Sequence, residues 1–281
     1  MHGSLLILVL TSAIILRVLW RSQPTSSWNQ RWIGTMFTFV LPPLLLITSA
    51  IALLWMGPQG MGISTFEGWG TYGTGSGFLI ATVTIAYIQA TQATQEIKQL
   101  REYPSINLAQ TKARLLPIEL PFIAQVGFWN PEIIVSQGLL EALTPEQFDA
   151  VLAHEQAHAT YHDTFWFFSF GCLRRLTFWL PNSESLWQEL LLLRELRADR
   201  IAAQTTDPLV LAEALLTLVR SPMIQSDWSA TLHPQNLDDR FSERIDAILG
   251  ATPLAPIPGW KVSAIVVAGL LPLLIIPFHH S

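Results

Sequence analysis

The sequence predicts a mainly α-helical membrane protein with about four transmembrane helices and a further, mostly helical domain that includes a small β element. Three observations predict it. Half of the 281 residues are apolar and 13% are charged, a balance unusual for a soluble enzyme. Several stretches stay uncharged over lengths near the ~20 residues that cross a hydrocarbon core of about 30 Å. In His154-Glu155-Gln156-Ala157-His158, two imidazoles and a carboxylate have the spacing of a helix-borne metal site.

The elements follow in chain order. Residues 4–20 form the first expected span, and they read as an anchor rather than a cleaved signal because the basic residue, Arg17, lies at the far end. Residues 33–56 carry no charge and form the second span despite Pro42-Pro43. Gly73-Thr74-Gly75-Ser76-Gly77 lacks the Lys-Ser/Thr ending of a phosphate loop and reads as a flexible turn. Residues 77–94, rich in Thr and Gln, follow as the third span. Between 104 and 137, β-branched and alternating stretches separated by Pro117, Pro121 and Pro131 predict short strands or a hairpin.

Residues 164–180 are apolar enough to insert, but one crossing there would part His158 from Glu195, so an interfacial or re-entrant helix is expected, with Arg174 and Arg175 at the headgroups. Asp207-Pro208 starts a helix that Ser221-Pro222 ends, and Asp238 to Leu249 makes another, stopped by Gly250. Residues 262–278 are the fourth span. Trp20, Trp32, Trp55 and Trp260 fall at span ends, as an aromatic belt does. The expected organisation is a three-span region at 1–94, a hydrolase domain at 95–260 and a C-terminal transmembrane helix at 261–281.

Arg17, Arg21 and Arg31 flank the first connection, whereas 57–76 holds only Glu67. The positive-inside rule then puts the first connection and residues 95–260 in the cytoplasm, with the active site facing it from an inner or plasma membrane. The single cysteine, Cys172, gives no disulfide framework and fits a reducing compartment. A net charge of -5 without a basic patch argues against nucleic-acid binding.

The chemistry lies in the middle of the chain. Thr144-Pro145-Glu146-Gln147 offers an N-cap, a proline at the first helical position and a capping box. Phe148, Val151 and Leu152 then recur at helical spacing, so His154 and His158 lie well inside a helix and project from one face. One Zn2+ per chain is the implied cofactor, with Glu155 taking the proton of the attacking water. Catalytic zinc needs a third protein ligand. Glu195 is the candidate, on a helix for which Ser185 and Gln188 offer a capping box, and Asp199, one turn on, would accept the second ring N–H of a ligand histidine. The alternative is an exposed salt-bridged helix, since Arg194, Arg197 and Arg200 are interleaved. His162 fits a helix C-cap. His233 is a candidate donor to the tetrahedral oxyanion, with a surface or capping role as the alternative. Pro121 to Val126 is a candidate edge strand for peptide binding, with core packing the alternative.

The run from Ile133 to Leu143, the capped helix through His158, Asp163, and Glu195-Leu196-Arg197-Ala198-Asp199 together resemble the membrane-embedded gluzincin peptidases, most closely peptidase family M56 of the BlaR/MecR type. The HtpX and CAAX-protease family shares many of the same letters. The resemblance covers roughly residues 117–250. It implies a gluzincin fold, with His154, His158 and Glu195 as zinc ligands, Glu155 as general base, and Asp163 and Asp199 as supporting carboxylates. It also implies a protein substrate at the bilayer, a cytoplasmic BlaI/MecI-type repressor being the expected one. An HtpX-like quality-control or processing protease is the alternative, and a catalytically silent membrane scaffold the alternative from another class. The chain stops at Ser281, shortly after the last expected span, so no external penicillin-binding sensor is expected.

Overall fold

The computed structural model describes residues 2–21, 26–58, 65–108, 111–128, 130–220, 237–250 and 257–278. The chain forms two compact units, one from residues 1–90, 170–190 and 256–281, the other from 91–169 and 191–255.

The first unit is helical. Helix α1 (His2–Leu19) buries Leu5, Val9 and Ala13, a stripe at i, i+4 spacing, against Leu46, Ala52, Leu53 and Met56 of α2 (Trp28–Met56). Arg17 continues that stripe by one more turn and is fully buried. Two of its guanidinium nitrogens donate to the Phe39 carbonyl and Ser183 Oγ, each at 3.1 Å, Nε has no hydrogen-bond partner among the described residues, and the group lies over the Phe39 ring. A buried charge needs such partners. Arg31 likewise meets Glu189 at 2.8 Å with both side chains nearly inaccessible. Ser27 caps α2, its hydroxyl accepting from the Gln30 amide while Gln30 accepts from the Ser27 amide. Pro42 and Pro43 lie inside α2 without ending it.

Helix α3 (Thr65–Arg101) is continuous through residues 73–77, where the sequence reading expected a flexible turn. Local bonding accompanies this continuity. Thr74 and Ser76 donate to the Gly70 and Tyr72 carbonyls one turn back, and Gly75 lies against α2, where a Cβ would sit 3.5 Å from the Ala50 carbonyl oxygen. Helix α10 (Gly259–Leu270), followed by a 3-10 stretch over Leu271–Phe278, also approaches α2: Thr48 Oγ1 donates to the Gly269 carbonyl at 2.7 Å.

Of the four expected spans, one meets the length and composition of a membrane helix among the described residues. At 29 residues α2 is ~44 Å long. The apolar stretches Gly3–Leu19 and Gly259–Leu274 are shorter than the ~20 residues a crossing takes, and the Thr, Gln and Gly content of α3 dilutes its hydropathy.

The second unit pairs a four-stranded sheet with helices. Strands β1 (Ser105–Leu108), β2 (Thr111–Leu116), β3 (Ile123–Val126) and β4 (Glu132–Ser136) lie in the order β1-β2-β4-β3, with β2 and β4 parallel and the other pairs antiparallel. The expected short strands are present, and β3 is an edge strand. Short α4 (Gln137–Ala142) leads to α5 (Pro145–Thr160), capped by Thr144 and Gln147 as the sequence predicted. Such a cap contributes about 1 kcal/mol and fixes where the helix begins. The sheet packs on α5 and α8 (Pro208–Arg220) through Ala113, Ile133, Val135, Leu139, Val151, Leu152 and Ala214. A second cluster joins Ala150 of α5, Ala202 of α7 (Ser183–Thr205), Leu211 of α8 and Ile248 of α9 (Leu237–Leu249). Helix α6 (Asp163–Leu176) has 14 residues, ~21 Å, too short to cross a bilayer. Helix α7 starts at Ser183, ahead of the expected cap at Ser185, and Gln188 donates to Glu184 instead.

Candidate metal centre

The site is built on α5. With the helix start fixed at Pro145, His154 and His158 fall one turn apart, both are buried, and their Nε2 atoms lie 3.1 Å from each other. Each ring is held by its other nitrogen. His154 Nδ1 meets Asp199 at 2.9 Å and His158 Nδ1 meets Asp163 at 2.7 Å. Those two carboxylates therefore orient both imidazoles with Nε2 toward the same point.

Two further elements complete it. His162 adopts a left-handed conformation (φ 53°), and its carbonyl accepts from the Phe165 and Trp166 amides. This residue is thus the turn between α5 and α6 rather than the C-cap itself, which is Tyr161. That turn brings Asp163 back to His158. Helix α7 supplies Glu195, whose oxygens lie 3.4 Å from His154 Nε2 and 3.7 Å from His158 Nε2. Asp199, one turn later on α7, reaches the far side of the His154 ring.

These dimensions fit a small tetrahedral cation. Ligand atoms ~2.0–2.1 Å from a tetrahedral zinc lie roughly 3.3–3.4 Å from one another; here the two Nε2 atoms are 3.1 Å apart, and the nearest Glu195 oxygen is Oε2 at 3.4 Å for His154 and Oε1 at 3.7 Å for His158. Two imidazole nitrogens and one carboxylate also make the donor set that leaves a fourth position open. His154, His158 and Glu195 lie close enough to hold a metal ion.

Arginines balance the buried carboxylates. Arg244 of α9 makes a two-pronged contact with Asp199 at 2.7 and 2.8 Å and lies 3.5 Å from Glu195. Arg197 contacts Asp163 and stacks on the Tyr161 ring at 4.1 Å. Arg194 lies 2.8 Å from Glu195. The sequence offered Arg194 and Arg197 only as grounds for the alternative of an exposed charged helix, and gave Arg244 no role. The signal it could have used is the amphipathic pattern of 237–249, which puts Arg244 one turn before the buried Ile248.

The charges set the acidities. Burial raises the carboxyl pKa of Glu195, but Arg194, His154, His158 and Arg244 outweigh it and hold the group well below the usual carboxylate range. Asp199 is held down against burial by Arg244 and His154, and Asp163 by His158 and Arg197. Burial opposes charge on His154, yet Asp199 and Glu195 push its pKa up to about 10. Glu155 behaves differently. Burial raises it, and the two histidines only partly offset that, which suits a carboxylate that must accept and then release a proton.

The edge strand adjoins this centre. Gln125 of β3 donates from Nε2 to the Glu155 carbonyl at 2.7 Å. His233 lies outside the described residues.

Residues 122–190 match the model of peptidase family M48. The match takes in β3, His154, Glu155, His158 and Asp163 and stops short of Glu195 and Asp199. The match supports a gluzincin-type metallopeptidase, and the matching family model is M48, a different family from the M56 to which the sequence resemblance pointed first. No curated protein and no solved structure matches the chain.

Proposed function

We propose that this chain is a membrane-associated zinc endopeptidase in which His154, His158 and Glu195 hold the metal and Glu155 is the general base. The observation that carries the reading is the convergence of two Nε2 atoms and a carboxylate, with each imidazole locked from behind by Asp199 or Asp163. Zinc bound there supplies a Lewis acid that acidifies water and polarises the scissile carbonyl. Glu155 takes the proton of the attacking water and delivers it to the departing amine, so peptide hydrolysis balances without another reactant. Its raised proton affinity favours the first half of that transfer, in which it takes the proton. His233 remains the candidate donor to the oxyanion.

The substrate, a protein segment, adds to β3 as an extended strand. An edge strand beside the motif helix offers main-chain partners for this, and the added strand would run past Glu155. The M48 match makes an HtpX-like role in membrane-protein quality control or processing at least as fitting as cleavage of a BlaI/MecI-type repressor. The apolar helix α2 anchors the enzyme in the bilayer, the hydrolase residues face the cytoplasm, and segment 164–180 lies at the interface with Arg174 and Arg175 outward.

Chelation tests the reading. Purified protein treated with 1,10-phenanthroline should lose cleavage of β-casein and regain it with equimolar zinc, and Glu195→Ala should lose zinc affinity by at least about a hundredfold because one of three protein ligands is gone. Unchanged cleavage after quantitative metal removal would contradict it.

A further inference from the structure

Strand β3 and helix α5 advance together. Ile123 packs on the apolar cluster that contains Val151, and Gln125, two residues on and on the same face of the strand, reaches the carbonyl of Glu155, four residues beyond Val151. Two strand residues cover ~6.6 Å and four helical residues ~6.0 Å, so the two elements stay in step up to the motif. The far end of β3 is also tied. Thr164, in the first turn of α6, donates to the Gly127 carbonyl at 2.7 Å, and the Phe128 and Phe168 rings meet at a tilt of 52° with centroids 4.7 Å apart. Gly127 has φ 110°, and a Cβ there would lie 3.0 Å from the Asn130 carbonyl oxygen, so the turn after β3 is tight.

The Gln125 contact is not needed to complete α5. A helical carbonyl already has its partner along the helix, and the bond from Gln125 is an extra one. Its Oε1 is buried with no hydrogen-bond donor, a cost to the fold. The side chain therefore serves position, since a shorter or apolar residue would fill the face without leaving an orphan acceptor.

From this juxtaposition we infer that Gln125 is a positioning residue that fixes the register of the substrate strand against Glu155, with Thr164 as the second tie. It rests on the peptidase reading above and deepens it. A peptide added to β3 takes its register from the strand, whose place in the sheet is set by its ladder with β4 and whose position against Glu155 is tied by Gln125. The bond presented to Glu155 is thereby set by Gln125. Pleated pairing repeats every two residues, so a loosened strand presents bonds two residues away without exchanging the faces of the peptide.

The test maps cleavage sites. Zinc-loaded full-length protein in detergent is incubated with β-casein, and the products are identified by mass spectrometry for wild type, Gln125→Leu and Thr164→Val. Gln125→Leu should keep one zinc per chain but add new cuts two residues from the wild-type sites, taking at least a third of the product, with KM raised severalfold. Thr164→Val leaves α5 untouched and should broaden the sites in the same sense, which keeps the test decisive if Gln125→Leu does not fold. Identical products in identical ratios from wild type and both variants would overturn the inference alone. Failure of zinc-loaded wild type to cut at all would overturn the peptidase reading, and this inference with it.

Discussion

Asp199 binds the back of His154, its carboxylate 2.9 Å from Nδ1, while taking both prongs of Arg244. One aspartate thus fixes a ring orientation and is itself fixed. Asp199→Asn keeps the shape and removes the charge. Zinc affinity should fall about 10- to 100-fold, and Asp163→Asn, behind His158, should do the same. Competition against a fluorescent chelator measures this, and wild-type affinity in both variants would deny the carboxylates their role.

Arg244→Met leaves the buried Asp199 carboxylate without its main counter-charge and removes a neighbour of Glu195. Breaking such a pair costs about 3–5 kcal/mol, or roughly 10 °C in a domain of this size. Thermal unfolding in detergent should show it. A melting temperature unchanged within 2 °C would place Arg244 outside the network.

The raised pKa of His154 makes metal loading a proton exchange. Below about pH 10 the metal-free ring is charged, held so by Asp199 and Glu195 against burial, and zinc binds only the neutral ring. Calorimetry at pH 7.5 in buffers of different ionisation enthalpy should show about one proton released per zinc, with affinity rising as pH rises. In the metal-free protein the sign reverses: the stability that the charged ring contributes is fully present below about pH 6.5, its unfolded value, and is lost as pH rises through about 10. Zinc binding without proton release would show His154 neutral beforehand.

For the membrane orientation, single cysteines in a Cys172→Ser background give the reading. Glu67→Cys should react with an impermeant maleimide in intact cells, and Glu141→Cys should react only after lysis. The opposite pattern would put the hydrolase residues outside and exclude a cytoplasmic substrate.

The parts of the site legible in the sequence are those that depend on a local period. His154 and His158 are fixed by one helical turn, the start of α5 by Thr144 and Gln147, and the pairing of Glu195 with Asp199 by a second turn on α7. Asp163 lies five residues from His158, but that Asp199 serves His154, and that Arg197 and Arg244 neutralise the carboxylates, depends on contacts between residues 34 and 45 positions apart, which no local pattern encodes. The same limit applied to residues 73–77. Glycines at that spacing read as a turn, and the approach of Gly75 to Ala50 of α2 is written in no local pattern. Gln125 was invisible for a similar reason, since its partner is a main-chain carbonyl 30 residues away.

The most direct test of the account is to measure zinc content and turnover on the same sample of Glu155→Gln. The amide cannot take a proton from water, while His154, His158 and Glu195 are untouched. The account predicts one zinc per chain, as in wild type, with kcat/KM on β-casein reduced by about 10²–10⁴ or more. Turnover within a few-fold of wild type in that zinc-loaded variant would contradict Glu155 as the base and the mechanism built on it.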